Sequence, residues 1–276
     1  MNLLGSLRAV KQAGETYLII TTSYQPTEGQ LAKAKEAADR LEARFVPRRK
    51  FSIPQLMDRY HTEKVILVGK DGLKAYLNSE PPVFFHPSTA FVRAKRILRG
   101  EIDIMLQAAG ISAGDSVLDC TAGLASDSIV FSLAAGEQGN VISLESEQLL
   151  SFLVEEGLKS YVSSLEPVNQ AMRRIQILHR NHSDYLKEAE TASVDIVYFD
   201  PMFRQPIEES SGIYPLRRIA NPKAVDPDSI REALRVARKC VVLKEHRDSG
   251  EFERLGFSSI IRSNTKIAYG VILCIQ

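Results

Sequence analysis

The sequence predicts an α/β protein: a doubly wound sheet closed by a C-terminal antiparallel hairpin, preceded by a small α/β domain. Three observations predict it. Strand-like apolar runs alternate with helical patterns from about residue 101 onward. The run Val194–Phe199 is typical of a strand buried on both faces, and it ends at Asp200-Pro201 because proline cannot donate to a sheet ladder. Two final runs, 259–261 and 267–275, lie too close for an intervening helix and therefore pair antiparallel.

The larger domain is predicted as a series of alternating strands and helices joined by right-handed connections. The predicted strands are 116–120, 140–144, 175–178, 194–199 and 240–243, and the predicted helices are 102–109, 128–135, 148–160 and 228–237. Parallel strands in this order bring their carboxyl ends to one edge of the sheet. Open α/β sheets bind their ligands at that edge.

A proline pair, Pro81-Pro82, interrupts the pattern, so we predict domains at residues 1–82 and 83–276. The smaller domain is predicted to contain strands at 17–21, 45–46 and 65–68 and helices at 30–44, 52–60 and 73–77. It has no catalytic constellation. Its densest basic cluster, Arg48-Arg49-Lys50, fits a phosphate contact and fits a plain exposed loop equally well.

The charges are unevenly distributed along the chain, although the net charge is only +1. Residues 1–100 carry 17 Lys and Arg against 9 Asp and Glu, whereas the remainder carries 18 against 25. A basic first part indicates a polyanionic partner, and an ordinary solvated surface is the alternative. The helix predicted over 89–100 bears a basic stripe, on which Arg93 and Arg96 are candidate RNA contacts. A solvated helix face is the alternative there too.

Composition and cysteine usage favour a cytoplasmic protein. No apolar run approaches the roughly 20 residues that a membrane helix needs, and the N-terminal residues lack a signal-peptide core. Cys120, Cys240 and Cys274 lack the spacing of metal ligands, and two of them lie in strand-like runs. Buried reduced thiols are therefore expected, with no metal and no membrane partner.

Polar residues follow the predicted strands one after another. Glu145 ends the second strand, where a carboxylate can accept both hydroxyls of a ribose. Asn181 and His182 end the third strand, where an adenine edge would lie. The candidate cofactor-binding residues at the strand ends are Asp119, Thr121, Ala122, Gly123, Glu145, Asn181, His182 and Asp200. The set fits a cofactor that contains adenosine.

The turn after the first strand discriminates among such cofactors. A pyrophosphate calls for G-x-G-x-x-G or a P-loop lysine, whereas this turn, T-A-G-L-A-S-D, has one glycine and ends in Asp127. A carboxylate there would repel phosphate and attract the ammonium group of an amino acid. The turn therefore favours S-adenosylmethionine (SAM), which has an amino-acid end and no phosphate, over NAD or ATP.

The motif D-P-M-F, Asp200 to Phe203, is similar to the [DN]-P-P-[YF] motif of methyltransferases that act on exocyclic or amide nitrogen. A planar, weakly basic amine needs acceptors for its protons, which the Asp200 side chain and the Pro201 carbonyl can supply. The ring of Phe203 can stack on the planar group. The predicted catalytic residues are Asp200, Pro201, Met202 and Phe203. The alternative is a strand-end turn with Met202 and Phe203 in the core.

Several motifs together resemble the RsmJ family from about Val117 to the C-terminus: V-L-D-C-T-A-G-L-A-S-D, I-S-L-E-S, I-L-H-R-N-H-S-D-Y-L, V-Y-F-D-P-M-F and V-V-L-K. The resemblance implies a Rossmann-like, class I SAM-dependent methyltransferase that modifies guanine N2 of small-subunit ribosomal RNA. The cofactor contacts that it implies fall on Ser126, Asp127, Glu145, Ser146, Asn181, His182 and Asp200. The chain is a divergent member, because Ala125 replaces a glycine of the family's turn and Asn181-His182 replace paired serines.

The combined expectation is a methyltransferase for an amino nitrogen of a base in RNA, with Tyr214, Lys244 and His246 lining the base pocket. Two rival functions remain open. One is a methyltransferase for a protein amide or a small molecule, and the other is an RNA-binding scaffold that has lost turnover. The oligomeric state is also left open.

Overall fold

The structure is a computed structural model, and it describes residues 17–78, 81–201, 223–263 and 265–274. The chain divides into two compact units, Met1–Val83 and Phe84–Gln276. Within the described ranges, no helix combines the length and apolarity needed to cross a bilayer.

The first unit has a four-stranded sheet with the order β2-β1-β3-β4. Its elements are β1 (Leu18–Thr22), α1 (Glu28–Arg40), β2 (Arg44–Phe45), α2 (Ile53–Tyr60), β3 (Lys64–Gly69) and β4 (Gly72–Leu77). β1 is parallel to both β2 and β3, whereas β4 is antiparallel to β3. The connection from β1 to β2 and the connection from β2 to β3 run across the sheet in opposite directions. Because both connections are right-handed, α1 and α2 lie on opposite faces of the sheet.

The helix predicted over 73–77 is wrong, because these residues form β4. Gly72 has φ of +105°, a conformation that suits glycine, and it starts a tight return of the chain onto β3. Val65 then pairs with Tyr76 and Val68 with Leu73. Non-local pairing across the turn outweighs the weak local helical pattern of this short segment.

The second unit is built on a seven-stranded sheet with the order β10-β11-β9-β8-β5-β6-β7. The strands are β5 (Ser116–Asp119), β6 (Asn140–Glu145), β7 (Ile175–His179), β8 (Val194–Phe199), β9 (Ala237–His246), β10 (Ser259–Arg262) and β11 (Ile267–Leu273). β5 to β9 are parallel, and β11 pairs antiparallel with both β9 and β10. The predicted α/β class and the predicted C-terminal hairpin are confirmed.

Helices connect these strands. They are α3 (Ser88–Leu98), α4 (Ile104–Ala109), α5 (Ser126–Ala135), α6 (Gln148–Ser160), α7 (Glu166–Arg174), α8 (His182–Glu188), α9 (Pro227–Val236) and α10 (Glu251–Arg254). Helices α7, α8 and α10 were not predicted from the sequence. The side chain of Asn181 caps α8 by accepting a hydrogen bond from the Ser183 N–H at 2.8 Å, which explains why the chain turns into a helix directly after β7.

The strands that lead to the candidate site are anchored in an apolar core. Leu118 of β5, Val197 of β8 and Val241 of β9 are fully buried in one cluster, together with Ile230 and Ala233 of α9. Close packing of this kind leaves little freedom at the carboxyl ends of the strands. The polar side chains that follow them are therefore held at fixed positions.

Gly157 of α6 allows the helix to pass very close to Phe85. A Cβ atom at this position would lie 2.1 Å from Phe85 Cγ and 2.3 Å from Phe85 Cβ. We expect Gly157→Ala to lower the free energy of unfolding by about 1–3 kcal/mol, because overpacking outweighs the better helix propensity of alanine. Denaturant unfolding measures this, with the exposed Ser160→Ala on the same helix as control. A Gly157→Ala variant as stable as the wild type would contradict the close contact.

Candidate active site

Adjacent parallel strands bring the predicted strand-end residues to one edge of the large sheet. β5 lies between β6 and β8, and β9 lies on the far side of β8. Asp119 at the end of β5 is aligned with Ser143 of β6 and with Tyr198 of β8. Glu145, Asp200 and Lys244 follow at the same edge. The structure therefore gathers three acidic strand ends and a lysine on one side of the sheet.

The turn after β5 is organised by Asp119, which is almost completely buried. One carboxylate oxygen accepts a hydrogen bond from the Thr121 N–H at 3.0 Å, and the other accepts one from the Ser128 hydroxyl at 2.6 Å. The Thr121 hydroxyl in turn accepts from the Asp200 N–H at 2.6 Å. Asp119 thus shapes the turn and, through Thr121, fixes the first residue after β8.

Glu145 closes the other side of this turn. Its Oε2 accepts from the Gly123 N–H at 3.2 Å and its Oε1 from the Glu147 N–H at 2.9 Å. Gly123 has φ of +51°, which brings its backbone close to the carboxylate without strain. Burial raises the pKa of Glu145. Each carboxylate oxygen keeps a further acceptor position, so the residue fits two neighbouring hydroxyls of a ribose.

Asp127, in the first turn of α5, is the centre of a buried ionic network. Its Oδ2 accepts from the Tyr198 hydroxyl at 2.7 Å and from Lys244 Nζ at 2.8 Å. Its Oδ1 accepts from the guanidinium of Arg93. These donors occupy three of about four acceptor positions on the carboxylate. The structure therefore places Asp127 in contact with its own chain, whereas sequence analysis assigned it to the cofactor's ammonium group.

The network extends from Asp127 in two directions. Lys244 Nζ also donates to Asp200 Oδ2 at 2.7 Å, so one ammonium group bridges two carboxylates. Arg93 forms a bidentate ion pair with Asp103, in which its Nε and Nη2 groups donate to the two carboxylate oxygens at 2.7 and 2.8 Å. Tyr269 on β11 is aligned with Lys244 on β9 and is buried beside it. Arg93 and Lys244, both predicted to touch substrate, are thus held by carboxylates of the second unit.

Burial and charge in this network shift the pKa values of Asp127 and Asp200 in opposite directions. Burial acts against the ionised form of Asp127, but Lys244 and Arg93 together lower its pKa well below the usual range. Burial raises the pKa of Asp200 to about 6, because Lys244 offsets only part of it and Asp127 adds repulsion. The attraction of both carboxylates raises the pKa of Lys244, which stays cationic at neutral pH.

The remaining residues that were predicted to bind the cofactor lie in different local environments. Ser126 begins α5, and the Ser146 carbonyl lies 3.1 Å from His179 Nε2. The amide oxygen of Asn181 caps α8, and its Nδ2 has no hydrogen-bond partner in the described ranges. The His182 ring packs perpendicular to Phe199 at 5.6 Å between centroids, and burial lowers its pKa.

Other predicted residues lie at or beyond the margin of this site. His246 ends β9, where its Nδ1 accepts a hydrogen bond from the Asp248 N–H at 3.2 Å. Arg96 is exposed and pairs with Glu101. Met202, Phe203 and Tyr214 lie outside the described residues. Among the described residues, no group of three or more His, Cys, Asp or Glu is arranged to hold a metal ion.

Sequence analysis missed Tyr198, Ser128 and Asp103 as parts of the site. Tyr198 lies within the predicted strand 194–199, and its hydroxyl is the one polar atom on a completely buried side chain in β8. A buried phenol needs a hydrogen-bond partner, and this requirement could have pointed to an acceptor such as Asp127. Arg93 lies beside Ala90 and Ala94, which form the buried face of α3, and this position could have indicated that its side chain turns inward.

Asp119→Asn should change how stability depends on pH. Burial raises the pKa of Asp119 to about 7, against about 3.8 in the unfolded chain. The folded state therefore holds this proton, and the associated stability is present below pH 4 and lost as the pH rises through 7. Asparagine can accept from Thr121 and donate to Ser128, but it does not titrate. The free energy of unfolding should fall less between pH 4 and pH 7 in the variant than in the wild type. The difference between the two decreases should be on the order of 1–3 kcal/mol.

Urea unfolding at a series of pH values measures this difference. The conservative Asp39→Asn, on the exposed side of α1 and outside these contacts, should retain the wild-type pH profile. Identical slopes for the Asp119→Asn variant and the wild type would show that Asp119 is already ionised in the folded protein.

Comparison with known families decides the class of this site. Residues 54–256, well over half of the chain, match the family model described as "Putative SAM-dependent methyltransferase". The chain belongs to this family. The protein is accordingly a methyltransferase that uses SAM, as predicted, and the resemblance stated from the motifs is confirmed.

Individual proteins are also similar to this chain. The chain is 44% identical over 254 residues to protein YpiP of Bacillus subtilis (strain 168), covering 92% of this chain and 98% of that protein. It is 30% identical over 154 residues to ribosomal RNA small subunit methyltransferase J of Pseudomonas fluorescens (strain SBW25). That match covers 54% of this methyltransferase and 57% of the Pseudomonas enzyme.

A crystal structure of the SAM-dependent methyltransferase NGO1261 from Neisseria gonorrhoeae shares the fold with a TM-score of 0.63. The superposition covers 93% of this chain and 96% of that one, at 18% identity. The order β7-β6-β5-β8-β9-β11-β10 is the Rossmann-like sheet expected from the sequence.

The described residues fit SAM in three respects. The Glu145 carboxylate has acceptor capacity for ribose hydroxyls, and the Gly123 turn leaves open space, since a Cβ there would meet only the Thr121 carbonyl at 4.0 Å. The acidic strand ends favour a cation such as a sulfonium over a phosphate. We expect Glu145, Gly123 and the Nδ2 group of Asn181 to hold the cofactor.

Proposed function

We propose that this methyltransferase modifies an exocyclic amino nitrogen of a base in RNA, with guanine N2 of ribosomal RNA as the leading target. The observation that carries the proposal is Asp200-Pro201 at the end of β8, with the carboxylate held by Lys244 and the backbone held by Thr121. This arrangement offers a fixed acceptor for the protons of a planar amine. The similarity to methyltransferase J over about half of the chain supports RNA as the substrate class.

The chain's residues have distinct parts in the transfer. Bound SAM supplies an electrophilic methyl group on a cationic sulfur. Asp200 accepts a hydrogen bond from the amine, which orients the nitrogen lone pair and stabilises the positive charge that develops on it. Lys244 positions Asp200 and keeps it ionised near neutral pH. The amine would lose one proton as its nitrogen takes the methyl group, while the carbon–sulfur bond breaks and S-adenosylhomocysteine leaves. The Asp200 carboxylate is placed to accept that proton.

The ionisation of Asp200 also predicts where activity is lost in acid. Its pKa of about 6 means that the acceptor form predominates above that pH. Transfer should therefore increase with pH through about 6 and level off above 7. This profile applies to any amine substrate, so it tests the mechanism independently of the substrate class.

Radiolabelled methyl transfer tests the substrate. Purified enzyme and labelled SAM are incubated with total RNA or with total protein from a strain that lacks the corresponding gene, so that the target is unmodified. We expect label in RNA, and nuclease digestion followed by chromatography should identify N2-methylguanosine. Label in protein alone would overturn the proposal in favour of a protein methyltransferase. SAM binding without transfer to either fraction would favour a scaffold that has lost turnover.

A further inference from the structure

The first unit bears a basic face formed by residues 44–60. This segment contains strand β2, the following loop and helix α2. Its cations are Arg44, Arg48, Arg49, Lys50 and Arg59, and its one acidic residue is Asp58. Arg44, Arg49, Lys50 and Arg59 are exposed, and Arg48 is partly exposed. We call these five cations and the two rings that they contact, Phe51 and Tyr60, the basic face.

Side-chain contacts join the basic face into one surface. The guanidinium of Arg44 lies over the Tyr60 ring at 5.2 Å from its centroid, and that of Arg59 lies over the Phe51 ring at 5.0 Å. Arg48 Nε donates to the Phe51 carbonyl at 3.2 Å. Strand β2, the loop and helix α2 are thus linked by these contacts. Stacking on a ring fixes a guanidinium while leaving its N–H groups directed outward.

The cations of the basic face have no carboxylate partners among the described residues. In the ranges that the structure describes, none of the five forms an ion pair. Several arginines of the second unit behave differently, since Arg93, Arg238 and Arg254 each bind a carboxylate. A cluster of unpaired cations raises the local positive potential and favours an anionic ligand.

We propose that the basic face is an RNA-binding surface of this methyltransferase, which contacts successive phosphates through its guanidinium and ammonium groups. The inference rests on the RNA substrate proposed above. The two stacked rings and guanidinium planes also offer faces on which unpaired bases can stack. Large apolar side chains that are exposed, as a lipid surface would require, are absent from 44–60, which is described throughout. The chemistry therefore fits a nucleic acid better than a membrane.

Salt-dependent RNA binding by the full chain tests the assignment. The probe is a fluorescently labelled 30-nucleotide stem-loop RNA, and the variant is Arg44→Gln/Arg49→Gln/Arg59→Gln. Each phosphate contact to a single strand contributes about 0.7 to the slope of log K against log salt. We expect the slope to fall by about 2 and the affinity to weaken roughly tenfold at physiological salt. The control Lys33→Gln/Lys35→Gln/Arg40→Gln removes three charges from α1 on the opposite face and should leave both quantities unchanged.

The possible outcomes distinguish a failure of the proposed RNA-binding surface from a failure of the proposed RNA substrate. SAM binding by calorimetry and thermal unfolding should be the same in the triple variant and the wild type, which shows that both units are folded. If the wild type binds and methylates RNA while the triple variant keeps its affinity and slope, the basic face is refuted and the RNA substrate stands. If the wild type neither binds nor methylates RNA, the RNA substrate and the RNA-binding role of the basic face are both refuted. Loss of binding to phosphatidylglycerol vesicles with unchanged RNA binding would assign the face to a membrane and overturn the proposal.

Discussion

The Asp200→Ala variant is expected to bind SAM with nearly wild-type affinity and to transfer methyl groups about 10³-fold more slowly. Removing the carboxylate removes the acceptor that orients the amine, whereas Glu145 and the Gly123 turn, which we assign to the cofactor, are untouched. Lys244 keeps Asp127 as a partner, so no buried charge is left alone. Single-turnover transfer of labelled methyl to RNA gives the rate, and calorimetry with SAM gives the affinity.

Two further variants make this experiment specific. Asp228→Ala removes an exposed carboxylate at the start of α9, which pairs with Arg231, and should keep full activity. Asp200→Asn keeps the shape but loses the charge, and it should transfer slowly at every pH without the acidic limb near pH 6. An Asp200→Ala variant with an unchanged rate would remove this residue from the mechanism.

The Lys244→Met variant is expected to lose about 3–5 kcal/mol of stability at pH 8. Methionine fills most of the volume, but Asp127 and Asp200 lose the cation that they share. Their pKa values then rise towards neutrality, so the folded state takes up protons as the pH falls. The stability difference from the wild type should therefore narrow between pH 8 and pH 5, which denaturant unfolding at both pH values measures.

A double-mutant cycle separates charge from packing in this network. Adding Asp127→Asn to Lys244→Met removes one of the two carboxylates that lost this cation and should recover part of the lost stability. Lys159→Met breaks an exposed pair with Glu155 and should cost less than about 1 kcal/mol. Equal losses at pH 5 and pH 8 for the Lys244→Met variant would show that its effect is steric.

The parts of the fold that follow from local pattern were predictable from the sequence. The bounds of β8 and of α6 agree with prediction at both ends, because one is a continuous apolar run and the other a regular helical period. The closing hairpin was also predictable, since the spacing between its strands excludes a helix. The family's cofactor followed from the acidic strand ends and the single-glycine turn.

The parts that depend on distant contacts were not predictable in the same way. The partners of Asp127 lie 34, 71 and 117 residues away along the chain, at Arg93, Tyr198 and Lys244. Residue types and strand-end positions brought these side chains to attention, but which charge neutralises which depends on packing in three dimensions. Arg93 illustrates the difficulty, because the same basic stripe contains an exposed Arg96 and a guanidinium turned inward.

The order of the last three strands has a consequence for biosynthesis. β11 lies between β9 and β10, although both precede it in the chain. During translation, the strand that carries Lys244 has an open hydrogen-bonding edge until Ile267–Leu273 have left the ribosome. Tyr269, which covers Lys244, arrives with that segment. The ionic network around Lys244 therefore matures late, and a nascent chain that stalls before residue 267 offers an unpaired edge to chaperones or to aggregation.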